Sequence, residues 1–235
     1  MSGFDAEPAF LLHGRPYRET SILAEYFTFS EGRVGVLVRG ARRPGSKLRG
    51  TLQPFLPVLL SVRGRSSLKT LQNVELQGMG AHLQGKALIS GFYLNELLCR
   101  LLQEGVPAPR LYATYEWALN HLTDPEEVEP VLRRFEKELL QELGVGLELD
   151  RHSGGMAAVE VGQTYSYLPD QGFVPALEGW TAYPGEALLA IHHDDYEQMR
   201  VRKVAKHLFR EALKPLLGDR PLHSRSLFFP ARETS

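Results

Sequence analysis

Through residue 79, apolar positions come in short runs that alternate with polar ones; from His82 onward they recur at helical spacing. Phe10-Leu11-Leu12 begins a strand that passes into a turn at His13-Gly14-Arg15-Pro16, because Gly and Pro punctuate regular structure. Ser21–Phe29 carries aromatic and β-branched residues that suit a pleated surface. After a turn at Glu31-Gly32, Val34, Val36 and Val38 fall on one face and Arg33, Leu37 and Arg39 on the other, since successive strand side chains point oppositely. Ala41–Thr51, broken by Pro44, Gly45 and Gly50, is a loop in this reading. Phe55–Val62 and Leu68–Leu76 supply two further strands about a turn at Arg63-Gly64-Arg65-Ser66-Ser67. Five short strands so closely spaced leave no room for crossover helices and predict a small closed or partly open barrel.

Beyond Gly78-Met79-Gly80, Leu94, Leu97, Leu98, Leu101 and Leu102 line one face of a helix that Gly105, Pro107 and Pro109 end. Leu111–Leu122 predicts a second helix. A third is expected to open at Thr123-Asp124-Pro125, with Thr or Asp as cap and Glu126 and Glu127 near the positive end of the dipole. It runs through Leu132, Phe135, Leu139 and Leu143 to a glycine stop at Gly144 or Gly146. Residues 145–180 are irregular, with a hairpin expected between Tyr165–Leu168 and Phe173-Val174. Tyr183–Ile191 and Asp194–Lys214 return to helix. In the last, Val201, Ala205, Leu208 and Ala212 share one face, and Arg200, Lys203, His207, Arg210 and Lys214 the opposite one. The pattern is α+β: a barrel over 1–79 and a helical domain over 80–235.

Formal net charge is −1 over 235 residues, so overall charge says nothing about an anionic partner. Its distribution does. From Gly32 to Lys69 the chain has Arg33, Arg39, Arg42, Arg43, Lys47, Arg49, Arg63, Arg65 and Lys69 and no Asp or Glu. Such a cluster repels itself unless it is strongly solvated or meets an anion, and the repeating anion is a phosphate backbone. On the last predicted helix Arg200, Lys203, Lys206, Arg210 and Lys214 offer a second candidate strip; an ordinary amphipathic helix is the alternative. Between Leu101 and Gln198 the only bases are Arg110, Arg133, Arg134, Lys137 and Arg151.

The single cysteine, Cys99, excludes an internal disulfide and any multi-cysteine metal site. With acidic residues near its start and no apolar run long enough for a bilayer, the chain reads as a soluble cytoplasmic protein. Gly40–Lys47 resembles a phosphate-binding loop, but lacks the Lys-then-Ser/Thr order at a helix start. His192-His193-Asp194-Asp195 sits where a helix end needs capping, and four adjacent residues cannot all face one ion. No catalytic motif appears, so the expectation is a binding protein, not an enzyme, with no cofactor and no metal. A transcription factor would need a reading helix or ribbon, and a nuclease convergent carboxylates; neither is visible.

Several stretches carry a family resemblance. Phe10–Ser21, Gly32-Arg33-Val34, Arg39–Arg43 and Leu52–Phe55 resemble the N-terminal domain of the RecO family of bacterial recombination mediators. Tyr93–Leu98, Leu132–Glu136, Leu213-Lys214-Pro215 and Ser224-Arg225 resemble its helical part. The resemblance implies an OB-fold barrel, binding of single- and double-stranded DNA, strand annealing, and help in loading RecA onto strands covered by single-strand-binding protein (SSB). It implies RecR and the acidic tail of SSB as partners, and a nucleoid location. Some relatives carry a four-cysteine zinc module; Leu149–Phe173 has no cysteine, so no zinc is expected. For the tail, Arg133, Arg134 and Lys137 form the candidate site. Arg133 and Lys137 lie four apart on one helix face, and Leu132, Phe135 and Leu139 should pack inward. An exposed Arg133 could clamp a carboxylate; pairing with acids of its own helix is the alternative.

Overall fold

The computed structural model describes residues 3–224. Arg225, part of the resemblance, lies outside them. Five strands, β1 (Gly3–Tyr17), β2 (Ser21–Thr28), β3 (Gly32–Val38), β4 (Pro57–Arg63) and β5 (Leu68–Leu76), close into a barrel in the order β1-β2-β3-β5-β4. This is an OB-fold barrel. β1 runs antiparallel to both β2 and β4, and a short parallel ladder, Gly35–Leu37 against Leu68–Thr70, closes the ring. The valines of β3 point inward as their spacing predicts. Ala24 and Tyr26 of β2, Val58, Leu60 and Val62 of β4 and Val74 of β5 meet them in the core.

β1 does not turn at residues 13–16 as expected but runs on as strand to Tyr17, and a register shift between Leu11 and His13 changes which face it shows. Before the shift Ala9 and Leu11 face the core; beyond it Gly14 pairs with inward Ala24, so Arg15 and Tyr17 point outward. The predicted loop contains a 3₁₀ turn, Lys47–Gly50, which tucks Leu48 and Leu52 against the core and leaves Lys47 and Arg49 exposed.

The chain forms two compact units, residues 3–128 with 221–224 and residues Glu129–Arg220. In the first, α1 (Gly85–Leu101) and α2 (Pro109–His121) pack on the barrel wall. Phe10 and Phe27 stack against Tyr112 and Tyr115. The Tyr115 hydroxyl donates to Asn95 Oδ1 (2.6 Å), and Asn95 Nδ2 donates to the Leu12 carbonyl (2.9 Å). This buried relay satisfies every polar group it uses, which makes the packing specific. Gly32, at φ +63, lies so close to the α1–α2 connection that a Cβ would stand 1.8 Å from the Val106 carbonyl oxygen. Segment 221–224 is held on α1: Glu96 accepts from His223 N and from Ser224 N and Oγ, and Arg100 donates to the Pro221 carbonyl.

α3 (Val128–Glu142) begins later than expected. Asp124 spends its side chain on Glu126 N and its carbonyl on Glu127 N, closing a turn instead of capping a helix. Gly144, at φ +74, ends α3 as predicted. In the second unit follow β6 (Arg151–His152), β7 (Ala157–Ala158), β8 (Thr164–Leu168), β9 (Gly172–Pro175), β10 (Tyr183–Pro184), α4 (Gly185–His192) and α5 (Met199–Leu217). The expected hairpin is β8–β9, and β10 joins it as a third strand. Its buried Tyr165, Tyr167, Phe173 and Tyr183 fill this cysteine-free segment with aromatic packing.

Candidate nucleic-acid interface

The outward side chains of the barrel form rows across neighbouring strands, because paired residues share a face. Arg15 pairs with Leu23, Leu23 with Leu37, Leu37 with Thr70, and Thr70 with Arg63. An apolar centre is thus flanked by exposed arginines, four strand spacings or ~19 Å apart along the ladder. Next to this row lie the loops. The Arg42 amide donates to the Thr20 carbonyl (2.9 Å) and its Nη1 to the Arg18 carbonyl (3.2 Å), so the β1–β2 turn and the start of the β3–β4 connection are tied together. Arg39, Arg42, Arg43, Lys47, Arg49, Arg63 and Arg65 are all exposed. No described acid forms an ion pair with any of them. They are exposed cations on adjoining segments of one barrel.

Arg33 and Lys69 do not belong to this open set. Arg33 pairs with Glu25 (2.8 Å) and donates Nε to the Leu102 carbonyl, which commits it to the contact between barrel and α1. Lys69 is half-buried and donates to the Gly64 carbonyl (3.1 Å) within its own turn. Three residues absent from the sequence-based set sit in the open surface: Arg15, Tyr17 and Arg18. The signal for them is the pair Arg15-x-Tyr17 at strand spacing, hidden because Gly14 and Pro16 read as a turn where the strand in fact continues.

On α5, Val201, Ala205, Leu208 and Ala212 are buried and Lys203, His207, Arg210 and Lys214 exposed, as the spacing predicts. Two members of the strip are spoken for. Arg200 grips Glu186 with both terminal nitrogens, and Lys206 pairs with Glu129 at 2.6 Å. Tyr183 donates to Glu211 beside His207, whose Nδ1 lies 2.8 Å from the same hydroxyl. Lys203, Arg210 and Lys214 make no ion pair with another described residue.

The expected tail site is corrected in its main residue. Arg133 is not exposed: its side chain is 4% accessible and pairs at 2.8 Å with Glu136, itself 1% accessible. Leu132, Phe135 and Leu139 pack inward as expected, but the arginine is drawn in with them because Glu136, one turn on, neutralises it there. Lys137 donates to the Ile191 and His192 carbonyls and to Asp194, capping the end of α4. Arg134 is half exposed, 3.7 Å from Asp194.

Burial pushes the Cys99 thiol up to about 12, so it is not a thiolate at neutral pH. Among the described residues no three His, Cys, Asp or Glu side chains gather as a metal would require, and no helix is long and apolar enough to cross a membrane.

Two family models cover this chain: Recombination protein O N terminal matches residues 1–79, and Recombination protein O C terminal matches residues 82–225. A DNA repair protein RecO from Nitrosospira multiformis is 44% identical over 227 residues, covering 95% of this chain and 94% of the relative. That of Thiobacillus denitrificans is 45% identical over 232 residues, covering 94% and 90%. That of Haemophilus influenzae (strain 86-028NP) is 44% identical over 226 residues, covering 95% of each. Both parts of the fold and the full run of the sequence therefore agree, and the chain belongs to the RecO family of DNA repair proteins.

Proposed function

We propose that this protein binds single- and double-stranded DNA through the open cations of its barrel, anneals complementary strands, and with RecR helps load RecA onto strands covered by SSB. It acts by binding rather than by catalysis, at the nucleoid. The observation that carries this reading is the gathering of Arg15, Arg18, Arg39, Arg42, Arg43, Arg63 and Arg65 on adjoining rows and turns, exposed and without acids between residues 32 and 69. Cations that meet phosphates position a strand without reading its sequence. The cations left open on α5, Lys203, Arg210 and Lys214, supply a second strand surface, which annealing calls for. The family resemblance supports RecR and the SSB tail as partners; the burial of Arg133 argues against it as the clamp for the tail's carboxylate.

The test is alanine at Arg42, Arg43 and Lys47 together, with affinity measured by fluorescence anisotropy on single strands of several sequences and on a duplex. Binding is expected to weaken on all of them alike. Affinities equal to those of the unaltered protein would remove the barrel from the DNA surface.

A further inference from the structure

The outer row of the barrel holds more than charge. Between Arg15 and Arg63 in that row stand Leu23 and Leu37, both partly accessible. In the neighbouring outward row, opposite Ser21 at the end of β1, is Tyr17. Its ring is backed by the Arg18 guanidinium carbon, 5.3 Å from the centroid. Arg18 sits at φ +50, a conformation that residues other than Gly seldom hold. That turn also directs the Arg18 carbonyl to Arg42 Nη1. Ring, two guanidinium groups and turn are therefore fixed to one another.

Phosphate binding explains the arginines and leaves the apolar groups unexplained. A duplex keeps its base faces stacked inside and presents phosphates and groove edges. An unpaired strand presents flat apolar faces as well, and an aromatic ring beside cations suits it. We propose that Tyr17, with Leu23 and Leu37 as the floor, takes unpaired bases and makes this part of the barrel prefer single strands to duplex. This rests on the reading of the basic surface as a DNA surface. One face of Tyr17 is held by Arg18; a base takes the other.

The experiment uses the full chain and three probes: an oligothymidine strand, an abasic strand of the same length, and a duplex. Tyr17→Ala is expected to lose roughly tenfold on the oligothymidine, the loss of one stacked base. Its duplex affinity should change by less than about twofold, and its salt dependence not at all, since no phosphate contact goes. Tyr17→Trp should keep single-strand affinity. The unaltered protein should bind the abasic strand at least as weakly as Tyr17→Ala binds oligothymidine, a comparison that needs no variant to fold. Equal losses on strand and duplex would make Tyr17 a brace for Arg42 and overturn the proposal. So would full affinity for the abasic strand. If the unaltered protein binds no strand in a salt-dependent way, the DNA surface itself fails, and this inference with it.

Discussion

Arg133 and Glu136 are two charges taken out of water and paired with each other there. Removing one partner of such a pair strands the other, at a cost of about 3–5 kcal/mol. In a chain of this size 1 kcal/mol shifts the melting temperature by about 2–4 °C. Arg133→Ala is therefore expected to lower it by roughly 6–20 °C. The double change Arg133→Met with Glu136→Leu removes both charges and should recover most of the loss. Thermal unfolding of the two variants checks this; an Arg133→Ala protein as stable as the parent would mean the pair is dispensable. Lys137 is a quieter case: its three acceptors make it a cap for α4 rather than a docking cation.

At the scale of elements, α5 and the α1 anchor make separate predictions. With Arg200 and Lys206 already paired, the strip that α5 can offer a strand is Lys203, Arg210 and Lys214. Lys203→Glu with Lys214→Glu should slow annealing of complementary strands more than it weakens single-strand binding. An unchanged annealing rate would return α5 to an amphipathic helix with a solvated face. On α1, burial raises the Glu96 carboxyl, but hydrogen bonds from Ser224 N and Oγ and from His223 N outweigh it and hold the group below the usual carboxylate range. A depressed folded value means that the contribution is present above the unfolded value, about 4.3, and is lost as pH falls through the folded one. The stability difference between the parent and Glu96→Gln should thus be present at neutral pH and shrink below about pH 4. A difference that persists unchanged in acid would contradict the anchor.

These elements also show what the chain's pattern discloses. The alternating valines of β3 and the two-sided spacing of α5 were legible because each buries one face against a core. The start of α3 was not: Thr123-Asp124-Pro125 suits a cap and a turn equally, and Asp124 took the turn. The outward placement of Arg15 and Tyr17 was hidden because Gly14 and Pro16 read as a turn, and the register shift before them is one that periodicity cannot locate. The burial of Arg133 escaped because spacing gives a helix face but not which ion pair can follow apolar neighbours inward.

Over the whole molecule, a net charge of −1 conceals an uneven arrangement. The long acidic middle keeps the protein from being a general polycation, while the barrel presents cations that no described acid pairs. Attraction to DNA is then local, and it should respond to salt through the counterions those cations displace. The measurement that bears most directly on this is affinity for a single strand, by anisotropy, across a series of salt concentrations. If about six phosphates are neutralised, log K should fall against log salt with a slope near −4, the same for different base sequences. A slope near zero, or one that changes with sequence, would contradict a phosphate-binding barrel.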